Sequence, residues 1–296
     1  MAADLDHARI VDALGTTHER RMLAILQQLE DRLAAYALQA PVQQGRLFDL
    51  AWSVQARADI ERILRETYLT EVDSIVREYD TVVDSVGEMF EAYESFLGVP
   101  DEVVANLKRV SFQGFQDIAV TFSNELANEL YQNTLTGRPI DESIRNLRQK
   151  INGVYIQSDQ AEVQRLVNIA NNAEGEAAEE AVRQLHQVYA SDRTGRNMRR
   201  YASQMIHDSL MQFDASINVA AGKEVGADRW KYYGSVIQDS RPWCVKHAGK
   251  RFAEDEIRDL WANNEWQGKA PGDPFIVRGG YNCRHHWRPV FDIEVD

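Results

Sequence analysis

Residues 68–96 read YLTEVDSIVREYDTVVDSVGEMFEAYESF, and apolar residues recur in this stretch at steps of four and three. These positions are Tyr68, Val72, Ile75, Tyr79, Val82, Val86, Met89, Tyr93 and Phe96. Alternating steps of this kind form the heptad pattern of a helix that packs against another helix. The residues between them are mostly Glu, Asp and Arg, so the other face should contact water. The stretch therefore predicts a long amphipathic helix with a buried seam, called here the heptad seam.

The sequence on both sides of the heptad seam is also helical in pattern. Apolar residues from Val11 to Tyr36 follow mostly the same steps, and Pro41 with Gly45 should end that helix. Asp101 is the predicted N-cap of a further helix. The residues that this helix is predicted to bury are Val103, Leu107, Val110, Ile118, Phe122, Leu126 and Leu130.

Such apolar stripes need a partner, because an isolated helix is only marginally stable in water. One interpretation is an intramolecular antiparallel bundle. The other is a coiled coil that docks onto another protein. The sequence leaves both open, and each can hold for different helices.

The last part of the chain differs in composition from the helical part. Trp, Tyr, Gly, Pro, Cys and His are concentrated beyond Trp230, and the apolar patterns become short. Residues 230–237 and 288–291 are predicted to form strands, the second at a sheet edge because it contains Pro289. A short helix is predicted from Glu254 to Trp261.

These patterns predict an α+β fold that is mainly α. A long N-terminal helical bundle or coiled-coil region should precede a small C-terminal α+β module. Three consecutive domains are predicted: residues 1–135 as the helical bundle or coiled-coil region, 136–226 as a helical middle region, and 227–296 as the small module that contains Cys and His.

Charge and hydropathy exclude several classes of function. The formal net charge is −13, and most of the excess lies in the first third of the chain. An acidic surface repels phosphate, which disfavours a general nucleic-acid coat there. No apolar run reaches the roughly 18 residues of a membrane span, and the N-terminus lacks a signal-peptide pattern. The sequence therefore predicts no membrane association and a protein kept in a cytosol or in a particle assembled there.

Both cysteines and three of the seven histidines lie in two short motifs of the C-terminal module. Cys244 and His247 form Cys-x-x-His, while Cys283, His285 and His286 form Cys-x-His-His. Two ligand pairs separated by a loop are a common way to build a tetrahedral zinc site, and thiolate and imidazole suit zinc better than magnesium or calcium. The predicted ligands of a structural zinc are Cys244, His247, Cys283 and His285, with His286 as a substitute for His285.

The alternative is that no metal binds. Cysteine is often simply buried as a small apolar residue. The spacing of the second motif is also too close for a typical zinc finger.

The same segment resembles the C-terminal module of the Mu F-like family of phage minor head (head-morphogenesis) proteins. The pattern of that family is Asp-x-Arg-x-x-Cys-x-x-Cys, then a Gly, a variable loop, and a Cys-Arg-Cys followed by Pro-Val. The residues that match are Asp239, Arg241, Cys244, Gly249, Cys283, Arg284, Pro289 and Val290. Histidine replaces the second cysteine of each pair, at His247 and His285, so four candidate ligands remain. The match covers about the last third of the chain, and the helical part carries no motif of the family.

The resemblance implies a structural minor capsid protein of a tailed bacteriophage. Such a protein binds the portal protein at one vertex of the head, and some members remain in the capsid interior and influence DNA packaging or ejection. It implies contacts with other capsid proteins, and a location in the virion, with the host cytoplasm as the place of assembly. It implies no catalytic residues.

The competing class is a zinc-dependent nuclease or toxin-like enzyme module. A zinc deaminase needs a His-x-Glu whose carboxylate moves protons beside the metal, and this sequence has none. It also lacks a Gly-x-Ser-x-Gly elbow and a Gly-rich phosphate loop with a lysine. The prediction is therefore that the protein is not an enzyme.

A basic cluster is the candidate contact with packaged double-stranded DNA. It consists of Arg193, Arg196, Arg199 and Arg200, at the start of a predicted helix. Arginines in such a group can neutralise phosphates. The alternative is a solvated helix face that pairs with acidic neighbours.

Overall fold

The computed structural model describes residues 2–91, 93, 95–152, 165–166, 168–169, 172–173, 177, 180–181, 184, 197–238, 240–281 and 283–290. The side chains of residues 2–5, of Asn152 and of Arg200 lie outside this description.

The described part of the chain is mainly helical, which confirms the predicted fold class. The helices are α1 (Ala2–Leu38), α2 (Leu50–Leu64), α3 (Thr70–Arg77), α4 (Asp80–Phe90), α5 (Asp101–Thr136), α6 (Ile140–Asn152), α7 (Met198–Glu224), α8 (Pro242–His247), α9 (Glu254–Ala262) and α10 (Pro274–Val277). A π-helical turn, Arg65–Leu69, joins α2 to α3. None of the described helices is both long and apolar enough to cross a membrane.

Within the described residues, five short strands form two antiparallel sheets. Strands β1 (Val42–Gln43) and β2 (Arg46–Leu47) make a hairpin where the sequence predicts a break after α1. The second sheet has the order β4-β3-β5, with β3 (Arg229–Tyr233) in the centre, β4 (Arg251–Ala253) and β5 (His286–Val290). The predicted edge position of the Pro289 strand is confirmed.

The heptad seam is buried, but it does not lie on one continuous helix. Its first six residues, Tyr68 to Val86, have 0% exposure. The helix is interrupted at residues 78–79, between α3 and α4, and α4 ends at Phe90. The hydroxyl of Tyr79 donates a hydrogen bond of 3.0 Å to Ser209 Oγ, and its ring centroid lies 5.0 Å from that of Phe213. These contacts cover this part of the seam with residues of the same chain.

Helix α5 buries a different face from the predicted one in its first half. Val103 is 36% exposed and Val110 is 68% exposed, whereas the predicted burial from Ile118 onward is confirmed. The buried face passes through Val104 and Phe115. At about 3.6 residues per turn, Val103 and Val110 lie roughly a third of a turn away from it.

The chain divides into two compact units that differ from the three consecutive domains predicted. One unit contains Met1–Leu14, Arg77–Ser111 and His207–Asp296, and the other contains Gly15–Val76 and Phe112–Ile206. Helices α1, α5 and α7 each contribute residues to both units, so the boundary between the units falls within each of these helices. The predicted module, residues 227–296, lies wholly within the first unit.

A buried hydrogen-bond network joins three helices of the first unit. The His7 ring lies with Nδ1 2.9 Å from Ser85 Oγ and Nε2 2.7 Å from Asp214 Oδ1. The Asn218 amide donates to the same Asp214 oxygen at 2.7 Å. Ser85, His7 and Asp214 are all buried, so this arrangement positions α1 against α4 and α7 and does not present a serine to a substrate.

Replacing Asp214 by asparagine should lower the free energy of unfolding by about 3 kcal/mol at pH 7, because the substitution removes the negative charge from a buried hydrogen-bond network. Burial by itself raises the pKa of Asp214, but the hydrogen bond and charge of His7 outweigh burial and lower that pKa below its usual value. A carboxyl with a lowered folded-state pKa stabilises the fold above its unfolded-state pKa of about 3.9, and this stabilisation is lost as the pH falls through the folded-state value.

The difference in unfolding free energy between the parent and Asp214→Asn should therefore shrink below about pH 4. Urea unfolding at several pH values measures this difference. Asp84→Asn, an exposed change beside Ser85, is the matched control and should have little effect at any pH. A constant difference from pH 7 to pH 3 would show that the charge of Asp214 does not stabilise the fold.

Candidate metal centre

The centre of the C-terminal module is strand β3, whose alternate side chains point into an aromatic core. Trp230 and Tyr232 are buried on this face, and Tyr232 is paired in register with Trp287 of β5. The buried core residues of the module are Trp230, Tyr232, Trp243, Cys244, Ile257, Trp261, Ala270, Phe275, Val277, Cys283 and Trp287. Both cysteines therefore lie at an aromatic core and not at the surface.

Strand β3 ends at Tyr233 and is therefore shorter than the predicted strand over residues 230–237. Gly234 has φ of +146°, and a Cβ there would lie 2.5 Å from the ring of His285. Only glycine fits so close to this imidazole.

The two cysteines meet beside Tyr232. Cys244 lies on α8 and Cys283 just before β5, and their Sγ atoms are 3.9 Å apart. The hydroxyl of Tyr232 lies 3.5 Å from Cys244 Sγ and 3.4 Å from Cys283 Sγ. A disulfide needs about 2.05 Å between the sulfurs. The cysteines are therefore two adjacent thiols.

Gly279 and Gly280 let the chain reach this position. A Cβ on Gly279 would lie 2.6 Å from Cys244 Sγ and 2.8 Å from Cys283 Sγ. Gly280 has φ of +104°, and its N–H donates to the carbonyl of Val277 at 2.8 Å. Any side chain at Gly279 would occupy the space between the sulfurs.

His285 completes a group of three metal-ligating side chains. Its Nδ1 lies 3.8 Å from Cys283 Sγ, and its ring stacks on Tyr232 with centroids 5.1 Å apart. The ligand atoms of Cys244, Cys283 and His285 all lie within 4.8 Å of one another, and all three residues are buried. Ligands about 2.3 Å from a tetrahedral zinc are roughly 3.8 Å apart, close to the distances from Cys283 Sγ to Cys244 Sγ, 3.9 Å, and to His285 Nδ1, 3.8 Å.

His247 does not join this group, in contrast to the prediction. Its Nδ1 hydrogen bonds to the carbonyl of Trp243 at 2.8 Å. Its buried ring lies 3.9 Å from the ring of Trp243 and 5.7 Å from that of Phe252. The imidazole is thus held by its own helix and by aromatic neighbours, and burial lowers its pKa.

His286 does not replace His285, because neighbouring residues of an extended chain point to opposite sides. The ring of His286 stacks on Tyr233, with centroids 6.4 Å apart. Burial lowers the pKa of His286 to about 3, so its imidazole is neutral at physiological pH.

The ionisation of the two thiols is linked. The hydrogen bond from Cys244 lowers the pKa of Cys283, and the same hydrogen bond, together with burial, raises the pKa of Cys244. The Cys283 thiol therefore loses its proton readily, whereas the Cys244 thiol keeps its proton. Burial and the two nearby sulfurs raise the pKa of Tyr232, so the phenol keeps its proton and donates it towards sulfur. A divalent cation between the sulfurs would stabilise both thiolates.

The three residues also line a cavity of about 610 Å³. The other lining residues are Ala8, Val11, Asp12, Met211, Tyr233, Gly234, Ser235, Ile237, Ser240, Arg241, Arg284 and His286. Arg241 is fixed at its edge, since its guanidinium donates to the carbonyls of Gln267 and Tyr281. Asp239, which belongs to the same motif, lies outside the described residues.

The basic cluster is not a uniform surface for DNA. Arg199 is only 2% exposed and takes part in interactions inside the fold, so it does not present its charge to a phosphate backbone. Arg193, Arg196 and the side chain of Arg200 lie outside the described residues. Contact of the cluster with DNA therefore stays a prediction, and Arg199 is a buried member of the cluster.

Comparisons of the chain with protein-family models, curated proteins and solved structures found no match.

Proposed function

We propose that this chain is a structural minor component of a tailed-phage head, and that zinc held by Cys244, Cys283 and His285 stabilises its C-terminal module. One observation carries the proposal. The two halves of the motif that resembles the Mu F-like family are 39 residues apart in sequence at their cysteines, yet the two sulfurs lie 3.9 Å apart. The two separated parts of the family pattern thus come together in one buried cluster, which supports reading them as a single motif.

A role in assembly fits the rest of the chain. Long helices offer extended faces for docking on other proteins, and the net charge of −13 opposes general binding to DNA. The proposed partners are the portal protein and other capsid proteins, with contact to packaged DNA left to Arg193, Arg196 and Arg200. The proposed location is the virion, at the portal vertex and the capsid interior, after assembly in the host cytoplasm.

Cryo-electron microscopy of the phage particle without imposed symmetry tests this role. Particles that carry the chain with an epitope tag, decorated with antibody after opening, should show density for it at one vertex only. Particles without the tag are the control. Absence of the chain from purified heads and proheads, or its distribution over all vertices, would refute the portal assignment.

The zinc-dependent nuclease or toxin-like enzyme remains the second candidate, and one observation favours it. The three ligands line a cavity, and catalytic zinc sites keep an open coordination position. Zinc-loaded protein incubated with single-stranded DNA, duplex DNA and RNA separates the two functions. The structural proposal expects no cleavage above background. Cleavage that disappears in Cys283→Ser would favour the enzyme.

A further inference from the structure

The two thiols of the C-terminal module are positioned to react with each other. Cys244 Sγ and Cys283 Sγ lie 3.9 Å apart, and a disulfide bond needs about 2.05 Å, so each sulfur has to move by roughly 1 Å. Gly279 leaves room for this movement, because a Cβ at that position would lie 2.6 Å from one sulfur and 2.8 Å from the other. The sequence contains only these two cysteines, so each thiol has the other as its one partner within the chain.

Small oxidants can reach the sulfurs although both cysteines are buried. Both cysteines line the cavity of about 610 Å³, and its wall also includes the exposed residues Ser235, Ile237 and Arg284. A water molecule occupies about 30 Å³ in the liquid, and hydrogen peroxide is only slightly larger, so the cavity admits it. Each cysteine is only 2% exposed, which disfavours contact with the sulfurs of a second chain. The arrangement therefore favours a reaction within one chain.

We infer that Cys244 and Cys283 form a site of reversible oxidation, where a hydroperoxide such as hydrogen peroxide converts the two thiols into a disulfide and releases the metal. One sulfur attacks a peroxide oxygen, the O–O bond breaks, and a sulfenic acid and water form. The second sulfur then attacks the sulfenic sulfur, and the departing hydroxyl leaves as water.

The balance of this reaction is two thiols oxidised and one peroxide reduced to two molecules of water. The protons for the water come from the two thiols. When the sulfurs are zinc-bound thiolates, solvent supplies these two protons and Zn²⁺ leaves the site. The release of metal rests on the metal centre of the proposed function, whereas the formation of the disulfide does not.

Metal and disulfide exclude each other at this site. Zinc binds thiolates, and a disulfide sulfur carries no such charge, so oxidation removes two of the three ligands. The disulfide then links the same two residues that the metal linked. A covalent link between residues 39 positions apart also restricts the unfolded chain, so the module should stay folded after the metal has left.

The two states should occur at different stages of the phage life cycle, a conclusion that rests on the proposed function. A reducing cytosol keeps thiols reduced, whereas disulfides persist in oxidising surroundings that include the surfaces of virions. The metal-bound form should therefore be present during assembly in the host cytoplasm. The disulfide form should be present in released particles.

Treatment of the zinc-loaded full-length protein with hydrogen peroxide tests the inference. A chromogenic chelator follows zinc, a thiol reagent counts thiols after denaturation, and mass spectrometry of peptides locates the cross-link. Both thiols and about one zinc per chain should be lost in parallel, and the peptides that contain Cys244 and Cys283 should be joined. Dithiothreitol and added zinc should restore the starting state. Tryptophan emission should change little, because the disulfide keeps the module folded.

Two variants and one untreated sample are the controls. Val245→Ser, an exposed change beside Cys244, should be oxidised like the parent. Cys244→Ser cannot form the internal disulfide, so its remaining thiol should give a sulfenic acid that dimedone labels. Protein without peroxide measures the loss of zinc to the chelator alone.

Thiols that survive a peroxide concentration sufficient to oxidise free cysteine would overturn the inference, and so would cross-links between chains in place of the internal disulfide. The metal centre would stand in both cases if the parent contains zinc. A parent without zinc that still forms the disulfide would refute the metal centre and support the oxidation site. Released particles, with thiols blocked before the heads are opened, test the later stage. Free thiols on Cys244 and Cys283 there would overturn the assignment of the disulfide to the virion, whereas absence of the chain from the particles would refute only the proposed function.

Discussion

Replacing Cys283 by serine should remove zinc from the protein and unfold the C-terminal module while the helical part keeps its structure. The module is small, and a domain of that size gains limited stability from its own apolar core. Structural zinc contributes on the order of 10 kcal/mol in small zinc domains, which exceeds the total stability of many domains. Loss of one thiolate ligand should therefore be enough to unfold this part of the chain.

Elemental analysis and tryptophan fluorescence measure the two parts of this result. The parent should contain about one zinc per chain, and Cys283→Ser much less. Five of the six tryptophans lie in the module, so its unfolding should shift their emission to the red, while circular dichroism should retain most of the helical signal. Val245→Ser, an exposed change beside Cys244, is the control and should leave zinc and emission unchanged.

The zinc prediction fails if the parent holds no metal and the double variant Cys244→Ser, Cys283→Ser melts at the temperature of the parent. The cysteines would then be ordinary buried residues. The proposed role in the phage head would remain, because it rests on the wider motif and not on the metal.

The double variant Val82→Asp, Val86→Asp should fail to fold and should be absent from assembled heads. Both valines are fully buried on α4, and each change places a carboxylate without a partner in an apolar environment. The cost is several kcal/mol per charge, and together the two changes exceed the stability of a typical domain.

Thermal unfolding of the purified variant and its incorporation into heads measure this effect. Thr81→Asp places the same charge at an exposed position of α4 and should behave like the parent. A double variant that unfolds at the parent's temperature and enters heads normally would contradict the burial of the heptad seam.

The sequence predicts the buried residues of the helical part well where a single apolar repeat continues over many residues. The seam from Tyr68 to Val86 is buried as its heptad pattern indicates, because side chains three and four apart share a helix face. Apolar periodicity alone does not determine which of two neighbouring faces of a helix packs against the rest of the fold. In α5, Val103 and Val110 are exposed, whereas Val104 is buried. Periodicity also does not reveal that α1 and α5 each belong to two compact units, because such contacts join distant parts of the chain.

The candidate metal centre is predicted in part. The spacing of the two ligand pairs predicts Cys244, Cys283 and His285, and the folded chain brings these three residues together. His247 is predicted as a ligand but lies outside the cluster. Its ring is oriented by contacts with Trp243 and Phe252, and the sequence pattern does not show these contacts. Tyr232 carries no motif, and its contact with both sulfurs depends on the pairing of β3 with β5, which the two motifs do not indicate.

X-ray absorption at the zinc edge of the purified full-length protein, with the metal content of the same sample, tests the metal centre most directly. We expect about one zinc per chain with two sulfur ligands at about 2.3 Å, and nitrogen or oxygen in the remaining positions. His247→Ala should give the same spectrum as the parent. A protein purified without metal, or zinc that has only nitrogen and oxygen ligands, would contradict a centre built on Cys244, Cys283 and His285.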